Sequence, residues 1–151
     1  MERIHELIKQ LNVVCCETGI EGHHRIEQLI LTLDNLLVEA QQLNLEFDER
    51  EYPDPPKRNY AEIRAQIAPN FPKFGLYNCA AEIDGNIGES KLSVGDSIGD
   101  IVEILNDLYD ISWRFENTSA GDALFYFELG FRSHWGRHAR ELQLYIHNYY
   151  W

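Results

Sequence analysis

The sequence predicts an all-α protein built as a bundle of about five helices. In about five segments, apolar residues recur every three to four positions, which is the period of an α-helix with one buried face. These segments cover roughly two thirds of the chain, about twice the helix content of an average soluble protein. The 151 residues are 44% hydrophobic and 25% charged, so we expect one globular helical domain over residues 1–151.

The first two helices are predicted to form an antiparallel hairpin. Residues 2–17 carry apolar side chains at helical spacing, namely Ile4, Leu7, Ile8, Leu11, Val14 and Cys15. The stretch from Thr18 to Glu21 has the pattern of a capping box, which predicts a second helix that ends near Leu45. Because the joint between them is short, the two helices should lie side by side.

The middle of the chain is predicted to hold two loops around a short helix. Residues 46–58 contain prolines among charged residues, which is typical of a loop. Asn59 is the expected N-cap of a third helix, and the prolines at 69 and 72 should end it. Residues 73–92 are rich in glycine and lack a clear period, so we predict a loop that is partly extended near residues 76–83.

Two long helices are predicted to complete the bundle. Ser93 is interpreted as the N-cap of a fourth helix over about residues 94–116. Ser119 is interpreted as the N-cap of a fifth helix that runs toward Tyr149. Two glycines inside the fifth helix are positions where it could bend.

Charge and composition exclude several partners and locations. With 13 basic and 25 acidic residues the formal net charge is −12, so we expect no binding to nucleic acid or to anionic membranes. The first residues lack a basic stretch followed by an apolar run, and no apolar run is long enough for a transmembrane span. The 3 cysteines lack metal-site spacing and suit a reducing cytoplasm.

The predicted fourth helix carries a stripe of acidic residues at spacings of four and three. The members of this acidic stripe are Asp96, Asp100, Glu103, Asp107 and Asp110. They fall within about 40° of one line, opposite the apolar face of their own helix. We therefore predict that they face solvent. The alternative is an interaction surface for a protein partner with a basic surface, because a row of like charges repels itself.

The predicted fifth helix carries two histidines one turn apart. His134 and His138 share one face, and Glu141 follows one turn later. This spacing can present two imidazoles and a carboxylate to one metal ion. A count of rotation places both imidazoles in the middle of the apolar face, so we expect them to point inward among aromatic rings.

Two interpretations of this polar cluster stay open. The first is a buried polar network that ties the helix to its neighbours. The candidate hydrogen-bond partners of the imidazoles are Asp34, Asn35, Tyr77, Asn78 and Ser133. The second is a functional cleft, with Arg137 at its rim to bind an anion and Glu141 as a base or ligand.

Three short motifs carry a resemblance to a known family. They are FPKFGLYN at 71–78, VGDSIGD at 94–100 and SHWGRH at 133–138. The chain from about residue 60 to 144 resembles a family of small bacterial proteins known as domain of unknown function 5063, and residues 82–92 look like an insertion. The resemblance implies a helical, cytosolic bacterial protein and no defined activity. It marks the polar side chains worth testing as Tyr77, Asn78, Asp96, Asp100, His134, Arg137 and His138.

The C-terminus is rich in aromatic residues. Tyr149, Tyr150 and Trp151 would expose much apolar area if they stayed in water. They could fold back on the first helix, or they could form a homodimer or partner contact. Both readings stay open because aromatic residues are frequent in cores and in interfaces alike.

Two functions of different classes fit the sequence. The favoured prediction is a non-enzymatic protein-binding or regulatory module without a cofactor, because no complete catalytic set is present. The alternative is a metal-assisted hydrolase of a small phosphorylated or nucleotide substrate, with His134 and His138 as ligands of a divalent metal and Arg137 on the phosphate. Asp96, Asp100 or Glu141 would complete the ligand set. The alternative requires the fifth helix to cross the polar face of the fourth.

Overall fold

The computed structural model describes residues 2–44 and 50–150, and this part of the chain is predominantly helical, as predicted. Its elements are α1 (Glu2–Cys16), α2 (Gly22–Gln41), α3 (Tyr60–Ile67), β1 (Leu76–Ala80), β2 (Leu92–Asp96), α4 (Ser97–Asn117), α5 (Ala120–Ser133) and α6 (Trp135–Tyr150). The expected five helices and purely α class are thus corrected to six α-helices and a small sheet in the described ranges. Helix α2 ends at Gln41, before the predicted end near Leu45, which itself lies outside the described residues.

Helices α1 and α2 pack against each other and are joined by a short turn that a buried arginine stabilises. Arg25 donates hydrogen bonds to the carbonyl oxygens of Val14 and Glu17, at the C-terminal end of α1. These carbonyls have no partner within the helix, so the guanidinium satisfies them. The predicted capping box of Thr18 and Glu21 does not form, because α2 begins only at Gly22 and Glu21 is its N-cap residue, with no side-chain capping hydrogen bond.

The predicted caps of two other helices are confirmed. The side chain of Asn59 accepts a hydrogen bond from the amide of Ala61 at the start of α3, at 3.0 Å. The hydroxyl of Ser119 accepts one from the amide of Asp122 at the start of α5, at 3.1 Å. A short 3₁₀ turn, Ala68–Asn70, follows α3.

An antiparallel β-hairpin occupies residues 76–96, and its first strand confirms the extended stretch predicted near residues 76–83. Tyr77 of β1 lies directly opposite Gly95 of β2. A Cβ atom at Gly95 would be 2.3 Å from the Tyr77 ring, so this ring occupies the space that a side chain would fill. Strand β2 leads straight into α4, because the carboxylate of Asp96 accepts from the amides of the first turn. The prediction that Ser93 caps this helix is wrong.

The predicted fifth helix is broken into α5 and α6 at His134, whose φ of −148° and ψ of −82° are not helical. The fully buried Trp135 follows the break and donates its ring N–H to the carbonyl oxygen of Phe127 at 3.1 Å. Two glycines allow this close approach. A Cβ atom at Gly136 would lie 2.1 Å from the carbonyl oxygen of Phe131, and one at Gly130 would lie 2.8 Å from the Trp135 ring.

Helix α4 is the centre of the fold and packs against α1, α3, α5 and α6. It contributes buried apolar side chains to the core, among them Ile101, Val102 and Leu108. Its acidic side faces α5 and α6, which places two rows of polar side chains against each other. Within residues 2–44 and 50–150, none of the helices combines the length and apolarity that a bilayer crossing needs.

The aromatic residues at the C-terminus pack against the segment before β1. The rings of Tyr145 and Tyr150 lie 5.6 and 5.8 Å from the ring of Phe74. Tyr149 stacks on Tyr145 and is largely exposed. The tail therefore covers Phe74 rather than the first helix. Trp151 lies outside the described residues, and a homodimer through this end of the chain stays a prediction.

Candidate functional site

An open cleft of about 520 Å³ lies between the β-hairpin, the first turns of α4 and the first turns of α6. The polar side chains that line it are those of Tyr60, Cys79, Ser93, Asp96, Asp100, Glu103, Ser133, His134, Arg137, His138 and Glu141. It forms because α6 crosses the acidic side of α4. Two sets of residues that the sequence analysis treated separately, the acidic stripe and the histidine cluster, thus meet in one place.

Asp100 is the buried centre of the cleft, with only 4% of its surface exposed. One carboxylate oxygen lies 2.8 Å from Nδ1 of His138, and the other accepts a hydrogen bond of 2.6 Å from the hydroxyl of Tyr77. The hydrogen bond to Asp100 raises the pKa of His138 above its usual value, against the opposing effect of burial. Burial raises the pKa of Tyr77 as well, and Asp100 adds to the effect.

His134 and Asp107 form a second pair of the same kind. Nδ1 of His134 lies 2.8 Å from a carboxylate oxygen of Asp107. The two imidazole rings meet edge to face, with centroids 4.9 Å apart. Each carboxylate fixes the orientation of its ring, and with the proton on Nδ1 the Nε2 lone pair of each imidazole is available to a ligand.

The prediction that both histidines point inward among aromatic rings is wrong. The side chain of His134 is 46% exposed, and His138 is half-buried at the cleft. The rotational count failed because it assumed a continuous helix. The helix breaks at His134, and the buried face of α6 is set instead by Trp135, Ala139 and Leu142.

Arg137 and Glu141 form an ion pair beside His138. Nε of Arg137 lies 2.8 Å from a carboxylate oxygen of Glu141, one helical turn away. The guanidinium also donates to the carbonyl oxygen of Ala81 at the end of β1, at 3.3 Å. The side chain of Arg137 is 62% exposed and lies at the rim of the cleft.

The acidic stripe is not a free row of charges, which corrects the prediction that it faces solvent. Asp96 caps α4 and forms an ion pair of 2.8 Å with Arg64. Asp100 and Asp107 bind the two histidines. Glu103 and Asp110, the other two members of the acidic stripe, are partly exposed. Most of the stripe is thus engaged within the protein.

Burial, and then the neighbouring Asp107, raise the pKa of Asp110 above its usual value. Ionisation therefore opposes folding, and the stability contributed by the neutral form is lost as the pH rises from about 3.9, the pKa of an unfolded aspartate, through the folded-state pKa. We expect Asp110→Asn to raise the urea midpoint at pH 7 but not at pH 3. Glu89→Gln, at an exposed position of the hairpin loop, should show no such difference. An equal effect of Asp110→Asn at both pH values would contradict this assignment.

Asp100, His138 and Glu141 form a candidate metal centre. Each offers one donor atom, and the three atoms lie within 4.8 Å of one another. His134, which the sequence suggested as a ligand beside His138, is not a member of this group. Its partner in the site is Asp107. The ligand set therefore combines one imidazole with two carboxylates, rather than two imidazoles.

The remaining predicted partners lie elsewhere. Asn78 is exposed on the face of β1 opposite Tyr77. Asp34 accepts from Gln143, and Asn35 accepts from Arg3. The hydroxyl of Ser133 lies near the cleft but donates to the carbonyl of its own helix. None of these side chains is a hydrogen-bond partner of either imidazole in the described structure.

Two further residues of the site, Arg64 and Cys79, were not predicted from the sequence. Arg64 belongs to α3 and binds Asp96, and Cys79 lines the cleft from β1. A strand places every second side chain on the same face, so Cys79 follows from Tyr77 once β1 is recognised. No comparable signal exists for Arg64, because its contact depends on how α3 packs against α4.

Comparison with known proteins gives a similarity of fold and no match of sequence family. No family model matches the chain, and no curated protein matches it. The resemblance to domain of unknown function 5063 therefore stays a prediction. Among solved structures, the chain is similar to the crystal structure of protein BF1032 from Bacteroides fragilis, with a TM-score of 0.73 and 15% identity over 99% of this chain and 89% of that chain. At this identity the similarity shows a shared fold alone.

Proposed function

We propose that the cleft binds a divalent cation and uses it to hydrolyse a small phosphorylated or nucleotide substrate. The proposal depends on one observation, that donor atoms of Asp100, His138 and Glu141 lie within 4.8 Å of one another in an open cleft. A cation held by these three side chains would keep coordination positions for water and substrate. It would polarise a phosphoryl oxygen and lower the pKa of a bound water.

The donor set favours a hard divalent ion. Asp100 and Glu141 offer carboxylate oxygens, and His138 offers one ring nitrogen. Two carboxylates and one imidazole, with water in the remaining positions, suit Mn²⁺. Binding of the ion requires an unprotonated ring nitrogen on His138, so the ion competes with protons for this residue.

The charge of the cleft also favours a cation. The described residues that line it include the carboxylates of Asp96, Asp100, Glu103 and Glu141 and the guanidinium of Arg137. Arg64 of α3 forms an ion pair with Asp96. The other three carboxylates still outnumber the guanidinium of Arg137. A cleft of this charge attracts cations and repels a free phosphate until a cation is bound.

His134 is the candidate general acid or base. Asp107 holds its ring through Nδ1, and the partly exposed imidazole lies beside that of His138. An imidazole held in this way can take a proton from an attacking water and return it to a leaving oxygen. We expect His134→Ala to lower kcat while the affinity for Mn²⁺ stays unchanged.

Titration calorimetry with Mn²⁺ on the metal-free protein tests the proposal. We expect one Mn²⁺ per chain, and a loss of affinity of about 100-fold in Glu141→Gln because one ligand is weakened. Glu103→Gln is the matched control, since Glu103 lines the cleft outside the ligand group. No binding of Mn²⁺ by the natural chain at millimolar concentration, or equal losses in both variants, would refute the site.

Hydrolysis is tested separately, with p-nitrophenyl phosphate and nucleoside mono- and diphosphates in the presence of Mn²⁺. We expect turnover that disappears with a chelator and returns when Mn²⁺ is restored. An intact Mn²⁺ site with no turnover of any of these phosphates would leave metal binding in place and reject the hydrolase.

Protein binding is the second candidate function, and the outer face of the hairpin favours it. This face exposes Leu76, Leu92 and Val94, with 83% of Leu92 accessible. Acidic side chains of the connecting loop, Glu82 and Asp84, lie beyond the strands. Exposed apolar area next to acidic groups fits a protein partner with an apolar patch and a basic rim. Capture of one partner at low salt by the natural chain, lost with Val94→Asp, would support this function; equal capture by Val94→Asp would oppose it.

A further inference from the structure

A cation at the candidate metal centre would compete with Arg137 for the carboxylate of Glu141. The Nε–H of Arg137 donates to Glu141 at 2.8 Å, and Glu141 also offers an oxygen to the candidate metal centre. A divalent cation withdraws negative charge from any carboxylate that binds it, so it weakens the pairing of that carboxylate with a guanidinium. The strength of the ion pair between Arg137 and Glu141 therefore depends on whether a cation occupies the centre.

The position of Arg137 lets it act together with such a cation. It precedes Glu141 by one turn of α6 and pairs with it, and both side chains line the same cleft as His138. The side chain is largely exposed, and its other contact is a 3.3 Å hydrogen bond to the carbonyl oxygen of Ala81. A planar guanidinium that is released here can bind two oxygens of a tetrahedral anion.

We infer that the cation switches on anion binding in this cleft, and that the anion is a phosphate ester or another tetrahedral oxyanion held between the cation and Arg137. Without the cation, Asp100, Glu103 and Glu141 repel the anion and Glu141 neutralises Arg137. With the cation, the repulsion is offset and Arg137 is released. This inference rests on the proposed metal centre and adds the order of binding and the part that Arg137 takes in it.

The coupling must be reciprocal. If the cation raises the affinity for the anion by some factor, the anion raises the affinity for the cation by the same factor. Couplings between protein sites are typically about 5- to 150-fold, which titration calorimetry resolves. Methylphosphonate is a suitable probe because it carries a tetrahedral oxyanion and has no ester bond to hydrolyse.

The experiment compares methylphosphonate binding with and without saturating Mn²⁺. We expect binding at least about tenfold tighter with Mn²⁺, and Mn²⁺ binding tightened equally by methylphosphonate. Arg137→Ala should keep Mn²⁺ binding and lose most of the coupling, and Arg137→Lys should keep part of it because a lysine retains the charge without the planar fork. Arg140→Ala, exposed on the same helix and outside the cleft, is the control and should behave like the natural chain.

The outcomes separate the two proposals. Failure of Mn²⁺ to bind overturns the metal centre and this inference together. Mn²⁺ binding with equal methylphosphonate affinity in its presence and absence overturns the inference alone. Full coupling in Arg137→Ala would show that the cation acts without Arg137, and would overturn the role given to this residue.

Discussion

Replacement of Trp135 by alanine is expected to lower the free energy of unfolding by about 3–5 kcal/mol, the range for loss of a buried aromatic side chain. Trp135 is fully buried, and its ring packs against Phe127 and Phe131 with centroids 5.2 and 5.4 Å away. It also packs at the junction of α5 and α6, next to His134. Urea unfolding followed by circular dichroism measures the change.

Two further variants keep this prediction testable if Trp135→Ala does not fold. Trp135→Phe retains a ring and loses the hydrogen bond to the carbonyl of Phe127, so a cost of about 1 kcal/mol or more is expected. Leu144→Ala, at an exposed position of the same helix, should change stability by no more than about 0.5 kcal/mol. A Trp135→Phe variant as stable as the natural chain would show that the indole hydrogen bond does not stabilise the junction.

Asp100→Asn is expected to damage both stability and metal binding. Asp100 is buried and holds His138 and Tyr77 at once. A hydrogen bond to a charged group contributes about 1.5–3 kcal/mol, so we expect a loss of about 2 kcal/mol in the metal-free protein. Because the variant also removes a charged ligand, the affinity for Mn²⁺ should fall about 100-fold or more.

The two effects of Asp100→Asn have separate readouts. Urea unfolding in a chelator measures the first, and calorimetry with Mn²⁺ measures the second. Glu103→Gln, one turn along the same helix, is the control for both. Unchanged stability would contradict the buried hydrogen bonds of Asp100, while unchanged Mn²⁺ affinity would remove Asp100 from the ligand group and leave its structural role intact.

The helices and their buried faces could be predicted because their information is local. In α1, the side chains of Ile4, Leu11 and Val14 repeat with the helical period, and all of them are buried. The side-chain oxygens of Asn59 and Ser119 cap their helices within three residues along the chain. Patterns that span only a few residues can be recognised from the sequence alone.

The site could be predicted only as two separate clusters. The helical period of the fourth helix predicts that Asp100 lies on the side opposite Ile101 and Leu105. That period does not say which other helix covers the acidic side. The answer depends on the break at His134, which turns the rest of the chain back across α4 and brings His138 to Asp100.

The hairpin could be predicted only in part, as an extended stretch near residues 76–83 without the second strand that pairs with it. Its two strands are five residues each and are joined by a loop of eleven residues, so no tight-turn signal marks their pairing. Strand β2 contains Gly95, which disfavours a strand when local propensity alone is considered. The ring of Tyr77 lies across that glycine and fills the space that a side chain at position 95 would take.

The fit between Tyr77 and Gly95 has a consequence for how related sequences can diverge. A larger residue at position 95 would push the ring away and break its link to Asp100. A smaller residue at position 77 would leave the glycine uncovered. Natural substitutions at these two positions should therefore occur together, so covariation between them would mark relatives that retain the same wall of the cleft.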